Sequence, residues 1–238
     1  MKITLFVPCF VDAFYPTTAM KMVEIFEDLG HEVEYKPQIT CCGQPAFNAG
    51  FWNESRKVSA KVLDALREAE VVVIGSGSCG AMLKIFTPQI WKDTPREAEA
   101  VALAEKTYEF AQFLVDVLGV TDLGAKFPHK VTYHDGCHGL RELGIHDAPR
   151  KLMEKVEGLE LVEMDEAQTC CGFGGLFSVK HAPIATAMGE VKCASAEKTD
   201  ADFLVSCDGS CLMHIQGLLD RQKSELKSVH LVEILTSK

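Results

Sequence analysis

The 238-residue chain has no run of lysine or arginine, and its net charge is −10 at pH 7. That balance gives no electrostatic footing for nucleic acid or an anionic membrane, though it leaves room for a basic protein partner. No apolar stretch approaches the roughly 20 residues that a helix needs to span a bilayer. Lys2 and the apolar run up to Tyr15 have the outline of a secretion signal. Pro8 and Asp12 interrupt that run, however, and no small-residue cleavage site follows. The chain therefore reads as cytoplasmic, a compartment where disulfides are rare. Nothing resembles a Ser-His-Asp set or a pair of catalytic carboxylates. The first half also lacks any Cys-x₂₋₄-Cys pair, the spacing that structural zinc favours. With 47% apolar and 24% charged residues, the composition is that of an ordinary globular chain, long enough for one large core or two smaller domains.

What the chain does have is cysteine, 10 residues of it, with 18 glycines. Cys41-Cys42-Gly43 and Cys170-Cys171-Gly172 are two Cys-Cys-Gly triplets, where random placement would give roughly 0.03. Cys9 precedes the first triplet and Cys79 follows it; Cys137 and Cys211 flank the second at nearly the same distances. Eight cysteines thus form one pattern used twice. Vicinal disulfides or plain buried thiols would not call for such repetition. Thiolate ligands to a metal group would, and zinc remains the rival to iron-sulfur at this point.

The rest of the sequence repeats along with the cysteines. Lys2–Val7 reads as a buried strand ending near Cys9, followed by a helix carrying Ala19, Met22, Val23, Phe26 and Leu29, with Gly30 just past its end. Glu32–Tyr35 alternates like a strand, residues 54 to 68 have helical spacing, and Val71–Ile74 is a buried strand running into Cys79. Lys130-Val131-Thr132 echoes Lys2-Ile3-Thr4, and Gly209-Ser210-Cys211 echoes Gly77-Ser78-Cys79. A strand is expected over Leu159–Met164, another from Ala201 to Val205 and a last one over Val229–Leu235. Val101, Ala104, Tyr108, Ala111, Leu114 and Leu118 read as the stripe of one connecting helix. Strands alternating with helices predict an α/β fold, internally duplicated, with two similar parallel-sheet units. Residues 1–92 would be the first repeat, 93–127 the connecting helix and loop, and 128–238 the second repeat.

The duplicated Cys…Cys-Cys-Gly…Cys pattern resembles the cysteine-rich CCG domain. That family includes the B subunit of heterodisulfide reductase, the iron-sulfur subunit of glycolate oxidase and the lactate-utilisation proteins. Cys-Cys-Gly-Gln-Pro-Ala at 41–46 and Cys-Cys-Gly-Phe-Gly-Gly at 170–175 are most similar to the lactate-utilisation branch. The resemblance implies iron-sulfur ligation by Cys9, Cys41, Cys42 and Cys79, and by Cys137, Cys170, Cys171 and Cys211. It further implies one or two clusters, [4Fe-4S] in type, in an electron-carrying subunit. That subunit would work with iron-sulfur and other partner subunits in the oxidation of L-lactate to pyruvate. Heterodisulfide reductase subunits end each motif with Cys-x-x-Cys, giving five thiolates for a noncubane cluster; here Ser76 and Asp208 stand at the first of those positions. Four thiolates per half suffice for a cubane. Thiol-disulfide chemistry at a cluster is the catalytic alternative, and a zinc-stabilised binding module the non-catalytic one.

The remaining motifs fit packing or surface. Cys207 falls opposite Gly75 in the repeat and Cys193 lies within a helix, so both are read as packing residues. His134 and His138 flank Cys137 and are expected around the ligands or on the loop surface, and Lys180 in solvent. Gly75-x-Gly77-x-x-Gly80 matches a dinucleotide fingerprint but encloses Cys79, and no ribose-binding acid ends a strand about twenty residues on. No substrate-binding residue is identifiable.

Overall fold

A computed structural model describes every residue from Met1 to Lys238. In the first half, β1 (Lys2–Phe6) lies between β2 (Glu32–Tyr35) and β3 (Val71–Ile74), and β4 (Thr107–Glu109) pairs with β3. In the second half, β5 (Lys130–Tyr133) lies between β6 (Glu160–Leu161) and β7 (Phe203–Ser206), and β8 (Lys227–His230) pairs with β7. The sheet orders are β2-β1-β3-β4 and β6-β5-β7-β8, with every pairing parallel. One sheet is a strand-for-strand copy of the other.

Side chains alternate across a strand, so β3 divides its four apolar residues between two faces. Val71 and Val73 join a central core with Ile3, Leu5, Phe26, Phe110 and Phe113, and that core also takes in Val131, Tyr133 and Val205 of the second sheet. Val72 and Ile74 face an outer layer with Phe6, Val62, Leu66 and Met82. Leu204 of β7 faces the matching outer layer with Cys193, Leu212, Ile215 and Leu219. Both faces of each sheet are covered at its centre, which is why β3 reads as an unbroken apolar run, whereas the edge strand β2 alternates and is partly exposed. The two units share their inner core and so form one body.

Two stretches differ from their sequence pattern. The stripe from Val101 to Leu118 is not one helix: a helix runs over Glu97–Glu105, β4 follows, and the chain then turns through Phe110–Val117. Backbone groups of this segment satisfy the open edge of β3, with Val72 N donating to Lys106 O at 2.8 Å. Lys106 Nζ donates to the carbonyls of Arg67 and Ala69 at 2.8 and 2.7 Å, clamping the segment onto the end of the preceding helix. In the last stretch, the expected strand stops at His230 and a short helix covers Leu231–Leu235. There His230 Nδ1 accepts from Val232 N at 3.2 Å and begins the turn.

Glu109, 1% exposed, caps the turn after β4 by accepting from Ala111 N and Gln112 N at 2.8 and 3.2 Å. Burial strips water from its carboxyl group and pushes its pKa up to about 7, against the pull of those two N–H groups. The native chain therefore holds a proton that the unfolded chain releases between the ordinary carboxylate range and pH 7. Stability falls as pH rises through that window. Glu109→Gln keeps the capping oxygen and removes the titration. The variant is expected to match wild type near pH 4.5 and to exceed it by about 3 kcal/mol at pH 8. Urea melts of both proteins across that range check this; parallel pH profiles would refute it.

Candidate metal centre

Each quartet of cysteines arises from three adjacent strand ends. Cys9 opens the helix Cys9–Phe14 after β1, Cys41 and Cys42 lie in the loop after β2, and Cys79 lies in the helix Gly77–Ala81 after β3. Cys137 opens the helix Cys137–Leu143 after β5, Cys170 and Cys171 lie in the loop after β6, and Cys211 lies in the helix Gly209–Gln222 after β7. Because β2, β1 and β3 are neighbours, as are β6, β5 and β7, carboxyl ends distant in sequence meet at one edge of each sheet.

The glycine of each triplet makes the bend. Gly43 has φ +94° and Gly172 φ +91°, a left-handed conformation that L side chains rarely adopt. The turn brings Gly43 N to 3.4 Å from Cys41 Sγ, and Gly172 N to 3.4 Å from Cys170 Sγ; Phe173 N adds a 3.5 Å donation to Cys171 Sγ. Backbone N–H groups aimed at sulfur favour its thiolate form.

All ten cysteines are free thiols. Cys41 interacts with its neighbours Cys42 and Cys9, and Cys42 with Cys79. Cys170 likewise interacts with Cys137 and Cys171, and the sulfurs of Cys171 and Cys211 lie within 4.8 Å of each other. In each quartet the first cysteine of the pair is held well below the usual thiol range. The neighbouring thiols are the main cause (Cys42 then Cys9 for Cys41, Cys137 then Cys171 for Cys170), and the following glycine N–H assists. The same contacts, with burial, push Cys9, Cys42, Cys137 and Cys171 up. Four such thiols cannot all shed protons unless a cation takes up their charge, and binding one would release protons.

Both quartets line a single cavity of about 180 Å³ between the repeats, together with Phe10, Phe173, His138, Ser76 and Asp208. Phe10 and Phe173, one from each repeat, meet edge to face across it with ring centroids 5.4 Å apart. Cys42, Cys79, Cys171 and Cys211 are buried, whereas Cys9 is exposed and Cys41, Cys137 and Cys170 are half-buried. Each quartet therefore runs from a buried pair to an accessible pair at the cavity.

Ser76 and Asp208, where two further thiolates would sit in the heterodisulfide-reductase pattern, bond to each other across the repeats. Ser76 Oγ donates to Asp208 Oδ1 at 3.3 Å, Ser78 N donates to Oδ2 at 3.0 Å, and Ser210 Oγ to Oδ1 at 3.0 Å. Burial raises the Asp208 pKa, opposed by these donors. Beside this link the backbones touch: a Cβ on Gly77 would lie 2.8 Å from both Cα and N of Gly139. The Gly75-x-Gly77 sequence thus serves packing, since a Cβ on Gly75 would strike Met22 as well.

Cys207 stands apart from the quartets. It is buried in the central core, Tyr133 Oη donates to its Sγ at 3.3 Å, and it does not line the shared cavity. Cys193 lies in the outer layer of the second sheet. Lys180 is exposed, its Nζ 6.0 Å from the centroid of Phe51.

Two more residues stand at the second quartet: His134, which the sequence placed around the ligands or on the loop surface, and Lys192, which sequence reasoning missed. His134 is fully buried, and one of its ring nitrogens and the sulfurs of Cys171 and Cys211 all lie within 4.8 Å of one another. Lys192 is also fully buried and donates to the carbonyls of Glu166 and Ala167, just before Cys170. Burial, then the Lys192 charge, pushes the His134 pKa down to about 3, so the imidazole is neutral. Burial lowers Lys192 to about 8, against the attraction of Cys171 and other anions. The repeat itself held the signal: His134 occupies the place of Phe6 and Lys192 the place of Val62, so a polar residue replaces a core residue twice.

The chain is similar in sequence to known proteins. The family described as "Cysteine-rich domain" (CCG) matches twice, over residues 3–84 and 131–216. The chain belongs to the cysteine-rich (CCG) domain family. Each matched segment of the CCG pair contains one quartet, and β4 and β8 lie beyond the matches. Among CCG relatives, "Lactate utilization protein A" of Geobacillus kaustophilus (strain HTA426) is 45% identical over the whole of both chains. The protein of that name from Oceanobacillus iheyensis (strain DSM 14371 / CIP 107618 / JCM 11309 / KCTC 3954 / HTE831) is 45% identical over 100% of this chain and 97% of its own. The crystal structure of a hypothetical protein from Helicobacter pylori superposes with a TM-score of 0.66 at 12% identity, which bears on the fold alone. This chain spans 49% of that protein and is itself covered completely. No helix of the CCG chain is long and apolar enough to cross a membrane.

Proposed function

We propose that this chain is an iron-sulfur redox subunit of a 2-hydroxy-acid oxidation system, serving the conversion of L-lactate to pyruvate. The observation that carries the reading is the convergence of eight free thiols, four from each repeat, on one cavity. The donor set fits the group: each half offers four thiols linked neighbour to neighbour along one cavity, and backbone N–H groups point at the sulfurs. Soft thiolates select iron-sulfur clusters or zinc rather than hard cations. Cys9, Cys41, Cys42 and Cys79 would hold one cluster, and Cys137, Cys170, Cys171 and Cys211 the other. A [4Fe-4S] cluster supplies one-electron redox capacity when bound. The chain's own residues orient and insulate: the glycine turns aim paired sulfurs, Phe10 and Phe173 wall the cavity, and the Ser76–Asp208 link fixes one quartet relative to the other. Lactate oxidation yields two electrons, which two one-electron sites can hold together. The names of the relatives support lactate as the fuel, with iron-sulfur and other subunits as partners.

The shared cavity also favours a second reading, in which a small disulfide is reduced between the two quartets. Anaerobically purified protein is expected to be brown, to contain iron with acid-labile sulfide, and to give a cluster EPR signal on reduction. Zinc without sulfide after anaerobic reconstitution would overturn the iron-sulfur reading. A strain lacking the chain is expected to stop growing on L-lactate while still growing on pyruvate; unchanged growth on lactate would overturn the choice of fuel. Disulfide-dependent reoxidation of the reduced protein would establish the second reading instead.

A further inference from the structure

The two sites differ most beneath their buried cysteines. Phe6, at the end of β1, belongs to the same apolar cluster as Cys42 and Cys79. The chain position that repeats it, directly after β5, is His134. Neither ring nitrogen of His134 makes a hydrogen bond, although the residue has no exposed surface. An unpartnered buried polar group is destabilising, so a nitrogen of this kind belongs where something takes its lone pair. The surroundings offer that partner: His134 and the Cys171 and Cys211 sulfurs bring their ligand atoms within 4.8 Å of one another. Donors on one tetrahedral metal ion stand roughly 3.5 Å apart, a distance this group reaches by a small contraction. No equivalent nitrogen exists in the first half, where Phe6 and Val62 stand in place of His134 and Lys192.

We infer that His134 is a nitrogen ligand to the metal group held by Cys137, Cys170, Cys171 and Cys211, so that the two repeats carry inequivalent centres. The first site is bound by thiolates alone; the second has a fifth donor, which is neutral. An imidazole added to four thiolates is neutral and leaves the charge of the cluster unchanged, so it marks the second site by its ligation and not by its charge. Lys192 sets the charge difference: its buried ammonium, held by the carbonyls of Glu166 and Ala167, stands near the same sulfurs and favours the reduced cluster. The second site is therefore the electron sink of the pair, the one more readily reduced. Electrons arriving at the first site run downhill to the second, which gives the duplicated fold a direction.

This inference rests on the iron-sulfur reading, and one experiment separates the two. The full chain is labelled with ¹⁵N-histidine, purified and reconstituted anaerobically, and the reduced clusters are studied by pulsed EPR. A strong coupling to a directly bonded histidine nitrogen is expected on one of two cluster signals. It should vanish in His134→Phe, which puts the first repeat's own residue into the second, while the other signal stays unchanged. Iron-loaded wild type whose clusters lack a directly bonded histidine nitrogen would overturn the ligand assignment and leave the proposed function standing. A coupling that survives in His134→Phe would also overturn it. A chain that takes up no iron would overturn both. The labelled wild-type measurement decides the matter even if the variant fails to fold.

Discussion

Cys171→Ala is expected to cost the protein about half of its iron and sulfide, whereas Cys207→Ala costs none. The two thiols are both buried and both follow strands of the second sheet, so burial alone does not separate them. Their surroundings do. Cys171 is within reach of Cys170 and Cys211 and lines the cavity shared by both quartets. Cys207 sits on the core side, accepts a hydrogen bond from Tyr133 and packs with Val205 and Leu231. Removing its sulfur leaves a small void and an unpaired hydroxyl, a loss of about 1–3 kcal/mol in stability with the metal sites intact. Removing the Cys171 sulfur takes one of four thiolates from the second site and leaves the first, across the Ser76–Asp208 link, unaltered. Iron and sulfide assays with EPR of both variants check the contrast. Iron lost from Cys207→Ala would show that the thiol moves to the metal site on loading.

The cysteine quartets, the sheets and the duplication were legible because each repeats, and a pattern seen twice at one offset is hard to mistake. β1, β2, β3 and β5 emerged with their bounds nearly right: β3 is a continuous apolar run, β2 alternates as an edge strand, and β5 repeats the Lys-x-Thr opening of β1. β4 was not legible. Thr107, Tyr108 and Glu109 are too few to show alternation, and Ala104, Tyr108 and Ala111 keep helical spacing through the strand. What makes the segment a strand is the open edge of β3, a partner more than thirty residues away that no local pattern reports. The end of β8 was misjudged for a local reason instead. Leu231, Val232, Ile234 and Leu235 are buried as a helix would bury them, and His230 supplies the cap.

At the site, Ser76 and Asp208 could be read only as departures from a five-thiolate pattern. Their bond to each other joins residues 132 positions apart, which a single sequence does not disclose. His134 was more accessible to reasoning than its expected place around the ligands or on the loop surface suggests. Carrying the offset between β1 and β5 one residue further sets it against Phe6, a core aromatic. A polar residue at a core position of a repeat is a mark of chemistry that the other copy lacks.

Gly172→Ala is expected to destabilise the protein by about 3–5 kcal/mol and to empty the second site, the severest effect of any single methyl group near the quartets. Two costs coincide there. The position has φ +91°, where an L side chain is strained by about 1–3 kcal/mol. Its added Cβ would also lie 2.5 Å from Ala185 O and 2.9 Å from Met188 Cβ. Both atoms belong to the helix Ala182–Glu197, and a helical carbonyl cannot swing aside as a side-chain tip can. Either the helix shifts, carrying Lys192 with it, or the loop lifts and takes Cys170 and Cys171 away from Cys137 and Cys211. Gly43 is the internal control. Its φ of +94° imposes the same backbone strain, but its added Cβ meets Ser55 Oγ at 3.1 Å and Ser55 O at 3.3 Å, contacts that small adjustments relieve. Gly43→Ala should therefore lose about 1–3 kcal/mol and keep more of its iron. Gly30→Ala, with φ +80° and nothing within 4 Å of the new Cβ, isolates the backbone term alone. Urea melts and iron content of the three variants give the ranking Gly172, then Gly43, then Gly30. Equal losses at Gly172 and Gly43 would mean that backbone strain alone decides, and that the close packing of the second triplet against its helix adds nothing.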